Sequence, residues 1–126
     1  MRTLLAAVLI AAASCASLLV PATGPITPVG TYRCRGTRNG HIYGIRLVVT
    51  AYYRAYAFEW KRDSDGPVVQ AGLAVRRGDQ LAVAIMSVGG TRAVGLYTLT
   101  RGRLEGTWTD TGDIETEVCV TGEFSA

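Results

Sequence analysis

From Thr31 onwards the chain alternates apolar and polar residues with period two, run after run, and this pattern constrains its fold more than any other feature. "IYGIRLVV" places Tyr43, Ile45, Leu47 and Val49 on one face. "AYAFEW" sets Tyr56, Phe58 and Trp60 against Ala55, Ala57 and Glu59, and "VQAGLAV" groups Val69, Ala71, Leu73 and Val75. "QLAVAIM" gives Leu81, Val83 and Ile85, and "RLEGTWT" gives Leu104, Gly106 and Trp108. Such alternation marks strands with one buried face. Between the runs stand Gly-rich turn signals: Asn39-Gly40, "DSDGP", "RRGDQ", "VGGT", "TRGR" and "DTGD". Asn-Gly is the strongest, because both central residues of a tight hairpin turn take positive φ. Only "TAYYRA" lacks turn chemistry. The reading is eight strands, seven short links and no helical segment after the leader, which means an all-β barrel or sandwich.

The first residues obey different rules. "MRTLLAAVLIAAASCASLLVPA" carries one charge, Arg2, and then an uncharged apolar run from Leu4, which is the layout of a secretory signal. Residues 1–22 are expected to be a signal helix cut after Ala22. Two alternatives are a lipoprotein signal cut before Cys15, with Cys15 lipidated, and an uncleaved anchor. Residues 23–30, "TGPITPVG", are too broken by Pro and Gly for helix or strand and read as a linker. Residues 31–126 are then one exported β domain, and at 126 residues in all there is room for no second one. With 48% hydrophobic and 18% charged residues the chain is no solvated, disordered segment.

Every version of the leader removes Cys15 from the folded part. Cys34 and Cys119 remain, an even number in an oxidising compartment, and are expected to pair. Cys34 lies on the first strand and Cys119 on the last. An open sheet would leave those two strands with unpaired edges. An eight-stranded antiparallel up-and-down barrel places them side by side, so that the disulfide stitches the seam. Directly paired residues share a face, so Tyr32, Cys34 and Gly36 point the same way as Glu115, Glu117 and Cys119. On a luminal face this brings a carboxylate into the interior; on an outer face the glutamates are ordinary solvated residues.

Catalytic signals are poor. His41 is the single histidine and sits beside a turn, which gives no cluster for a metal. No nucleophile elbow, phosphate loop or dinucleotide fingerprint occurs. Asp110-Thr111-Gly112 matches the aspartic-protease triplet but has only one strand's worth of chain after it, and Arg77-Gly78-Asp79 is turn chemistry at a hairpin tip. Twelve of the thirteen cations are arginines, scattered along the chain without an aromatic-rich basic stripe, so nucleic acid is not an expected partner. After Arg103 there are six acids and no base, whereas the first two strands carry Arg33, Arg35, Arg38 and Arg46; closure would set these side by side. Tyr43, Tyr56, Phe58, Trp60, Tyr97 and Trp108 fall at mostly inward parity, enough bulk to fill a small lumen. A lumen that binds something would use an aromatic wall and one or two polar groups. The candidate ligand-binding residues are therefore Tyr43, Trp60, Tyr97, Trp108 and Glu117, with no catalytic residue, metal or cofactor.

The stretches "GTYRCRGTRNGHIYGI", "YAFEW" and "GDQLAVAIMSVGGTRAVGLYTLTRGRLEGTWTDTGDIETE" resemble a family of small exported bacterial β proteins, some of them labelled fibronectin-binding. The likeness spans nearly all of the chain after the leader and implies an avidin- or lipocalin-like barrel and export, without an established activity. Cys34 and Cys119 are not part of that family's pattern. "TYRCRG" is also similar to the opening strand of periplasmic lysozyme inhibitors. Their loop motif is lacking here, with only Ser87, Gly89-Gly90 and Tyr97 in loosely similar order. The expectation is an exported, non-enzymatic binding protein whose partner is a protein or small ligand outside the cytoplasm. A hydrolase inhibitor is the alternative. Membrane contact is expected only through the leader or a lipid on Cys15.

Overall fold

The computed structural model describes residues 25–62 and 65–122, so the leader, its cleavage and Cys15 lie outside the described residues. Eight strands follow one another: β1 (Gly30–Arg38), β2 (His41–Tyr52), β3 (Ala55–Lys61), β4 (Val68–Arg77), β5 (Gln80–Ser87), β6 (Arg92–Thr100), β7 (Arg103–Thr109) and β8 (Glu115–Thr121). Each pairs antiparallel with its neighbours, and β1 pairs with β8, which closes the barrel and leaves no open edge among these strands. Along the seam Cys34 stands opposite Cys119, and their sulfurs are bonded.

The hairpin chemistry is as the sequence suggests at Asn39 (φ 50°) and Gly40 (φ 79°). The β2–β3 link turns without glycine. Tyr53 itself takes φ 55°, a region few non-glycine residues adopt, which is why no turn signal marks "TAYYRA".

The inward faces of β2, β3, β5 and β7 are those given by alternation. Leu47, Val49, Phe58, Trp60, Leu81, Val83 and Leu104 are all buried. Phe58 sits between Trp60 and Tyr97, with ring centroids 5.6 and 6.2 Å away.

On β4 the expected face holds at Val69, which packs against the core, and is reversed beyond the register shift opposite Trp60 and Lys61. Leu73 and Val75 are 53% and 64% exposed, and the inward residues are Gln70, Gly72 and the fully buried Ala74. The reason is volume. Gly72 pairs with Phe58 on one side and Ile85 on the other, and a Cβ there would lie 2.7 Å from the Ala84 carbonyl and 2.9 Å from Val83 Cγ1. The Ala84 backbone and the Val83 side chain of β5 already fill that space, so β4 contributes small residues inward there and its large apolar ones outward. With Met86, Val94 and Leu96, also about half exposed, they make an apolar band on the outer wall of β4, β5 and β6.

The stretch read as a linker does structural work. Ile26 packs against the core and Pro28 is fully buried. The Tyr32 hydroxyl donates to the Pro28 carbonyl at 2.6 Å, and an Arg76 Nη donates to the Ile26 carbonyl at 2.7 Å. Residues 26–28 therefore cap the barrel at the end where β1 begins, the base.

A buried carboxylate beneath an open mouth

The seam decides which face Glu117 takes. Cys34 and Cys119 point into the lumen, so Glu117, two residues before Cys119, does too, and it is only 3% exposed. A carboxylate in an apolar interior is costly unless donors replace its water. Three neutral donors do so. Oε2 accepts from the Tyr43 hydroxyl at 2.6 Å, and Oε1 accepts from Tyr97 at 3.0 Å and from the Trp60 indole at 3.2 Å. The Cys119 sulfur lies 3.5 Å from Oε1 but is committed to the disulfide and has no proton to give. Cys34, Cys119 and Glu117 are grouped closely enough to suggest a metal site. With both thiols oxidised, only the carboxylate has ligand character.

Tyr43 reaches the carboxylate because Gly36 leaves room for it. A Cβ at Gly36 would meet the Tyr43 hydroxyl at 2.5 Å and the Thr116 carbonyl at 2.7 Å. Burial first, and then the charge of Glu117, pushes the Tyr43 and Tyr97 phenols far above the ordinary tyrosine value of 10.0. Both remain neutral hydrogen-bond donors.

Above this cluster the barrel opens. A cleft of about 720 Å³ lies at the end opposite the base, within the size range of small-molecule sites. Tyr43 and Trp108 are its aromatic groups, Ile45 and Val69 its apolar wall, and Gln70 and Ser87 its polar wall, with Arg38, Asn39, His41 and Arg62 at the rim. Arg38 pairs with Asp110 at 3.2 Å and lies over the Trp108 ring, 5.8 Å from its centroid. This is the juxtaposition of basic first strands with the acidic end that closure implies. Asn39 N–H donates to Glu115 at 2.6 Å across the same seam. The Trp108 Nε1–H is buried without an acceptor among the described residues, although it lies close enough to Tyr43 to oppose the rise in that phenol's pKa.

Four of the five residues singled out from sequence thus form one connected cluster, Tyr43, Trp60, Tyr97 and Glu117, and Trp108 stands beside it. Only Tyr43 and Trp108 face the cleft; Trp60, Tyr97 and Glu117 lie beneath its floor. Tyr97 is 1% exposed, so of the residues likened to an inhibitor loop only Ser87 reaches the cleft. Sequence reasoning missed Arg38, Arg62, Ile45, Val69 and Gln70 as lining residues. Gln70 had a signal, a polar residue at inward parity, hidden by the reversed face of β4. No family model matches the chain, and no curated protein or solved structure is significantly similar to it.

Proposed function

We propose that this chain is an exported, non-enzymatic binding protein that takes a small ligand into the open mouth of its barrel. The observation that carries the reading is the division of the lumen. Below, side chains fill it and satisfy one another; above, a cleft of ligand size is walled by both apolar and hydrogen-bonding groups. The buried Trp108 N–H beside the cleft, near Tyr43 but without a hydrogen-bond acceptor among the described residues, is a donor that a ligand oxygen or nitrogen can satisfy, and a buried orphan donor costs about 1–3 kcal/mol. Binding in place of catalysis is supported by what the titratable groups already do. Glu117 is held by three donors, and the two phenols beside it are held neutral. Export is supported by the apolar leader and by the disulfide, which suits an oxidising compartment.

The test is native mass spectrometry of the protein as recovered from cells. The reading expects a small-molecule adduct that disappears when Gln70→Trp fills the cleft. An adduct that persists unchanged in that variant would place the ligand elsewhere. Finding no adduct, and no thermal shift with a metabolite library, would remove the reading.

A further inference from the structure

The arginines that look scattered in sequence are gathered by topology. The links β2–β3, β4–β5 and β6–β7 all lie at the base, where β1 begins. Over residues 52–55, 76–80 and 100–103 they carry Arg54, Arg76, Arg77, Arg101 and Arg103 against Asp79 alone, a net of +4 (five minus one). The described residues of the links at the mouth, 38–41, 61–62, 65–67, 87–92 and 110–115, sum to zero (four basic minus four acidic). Arg103 is offset by an exposed pair with Glu105. Among the described residues Arg76 donates to the carbonyls of Ile26 and Gly78, which leave its charge uncompensated by an acid.

A second observation points to what faces this charge. At the tip of the β2–β3 link Tyr52 and Tyr53 are 52% and 92% exposed and meet edge to face, with centroids 4.9 Å apart. Neither serves the core, and Tyr53 is held at its tip by a backbone conformation unusual for tyrosine. Exposed tyrosines flanked by arginines are the residues that settle at the boundary between headgroups and acyl chains. The third observation is connectivity. The chain joins β1 at this end through residues 25–29, and its residues 4–20 are uncharged and apolar.

We infer that the base is a docking surface for an anionic lipid bilayer. The arginines of three hairpins lie over the headgroups, Tyr52 and Tyr53 dip into the interface, and the barrel stands end-on with its mouth turned away. The attraction is electrostatic and acts within about a Debye length, roughly 8 Å at physiological salt. It is independent of what the mouth binds.

The test uses the full chain on vesicles of phosphatidylcholine, alone or mixed with phosphatidylglycerol. Vesicles of pure phosphatidylcholine set the baseline, and the measured quantity is the increment that phosphatidylglycerol adds. Arg54→Gln/Arg77→Gln/Arg101→Gln should lose that increment, roughly fivefold per arginine, and leave binding to pure phosphatidylcholine unchanged. Should the triple variant fold poorly, Arg77→Gln alone decides, with a loss of roughly fivefold. Tyr53→Trp should be quenched by brominated lipids, whereas Trp60 and Trp108 in the parent are not. Equal binding to the two vesicle types, or an unquenched indole at position 53, would overturn the inference. So would duplex DNA binding more tightly than the anionic vesicles at the same salt, which would reassign the surface to nucleic acid.

Discussion

The base and the mouth of this barrel are built from the same alternating strands, yet one is a core and the other a cleft. At the base, Phe58, Leu81, Leu99 and Leu104 fill the lumen, and Pro28 is buried beneath them. At the mouth, the facing positions on β4 and β5 pass to Gln70 and Ser87, which line the open cleft. Between the two lies Glu117, whose donors come from β2, β3 and β6 and so tie the wall together across the lumen. Period two therefore decides that a barrel forms, whereas the sizes of its inward residues decide which part of the lumen is packed and which part is open.

If the base and the Glu117 cluster carry the stability, damage there must cost far more than damage in the mouth. The largest effect is expected from Cys34→Ala with Cys119→Ala. The two residues are 85 apart in sequence, and releasing a loop of that length costs about 4–5 kcal/mol in the chain-entropy account. Urea denaturation measures it. Glu117→Leu comes next, at about 3 kcal/mol or more, because it leaves the Tyr43, Tyr97 and Trp60 donors buried without an acceptor. The midpoint of thermal unfolding should fall accordingly.

High pH tests the same cluster without mutation. Tyr43 and Tyr97 have folded-state pKa values raised above 10.0 by burial and then by Glu117. Below that value both states are protonated and the contribution to stability is fully present. Above it the unfolded chain ionises while the folded one does not, so stability is lost at about 1.4 kcal/mol per pH unit for each phenol. Denaturation curves from about pH 9 to about pH 11, which bracket the ordinary phenol value, should show the decline, and Tyr97→Phe should make it shallower. The smallest effect belongs to the mouth. Gln70→Trp projects into the open cleft and should change stability by no more than about 0.5 kcal/mol, the range of ordinary surface substitutions. A cost comparable to that of Glu117→Leu would mean that the mouth is packed after all.

Much of this was legible in the residues, and the exceptions share a cause. Alternation and turn chemistry give eight strands, and the positions of Cys34 and Cys119 give the closure. Glu117, two residues before Cys119, shares its face, and with that face luminal it meets its aromatic neighbours. Hydropathy does not reveal that β4 turns Gly72 and Ala74 inward, because it reports polarity and the interior there is limited by volume. The basic base was invisible for a different reason. Arg54, Arg77 and Arg101 lie more than twenty residues apart, and only the up-and-down topology brings their hairpins to one end.

The chain has two tryptophans, and the division of the lumen assigns one to each part. Hydrogen exchange of the two indole N–H groups, followed by NMR on nitrogen-labelled protein, is therefore the most direct test. Trp60 Nε1–H, bonded to Glu117 beneath the floor, should exchange only when the barrel opens globally. Trp108 Nε1–H, without an acceptor among the described residues and beside the cleft, should exchange much faster. Equal rates, or a Trp60 signal that exchanges first, would contradict a packed base beneath an open mouth.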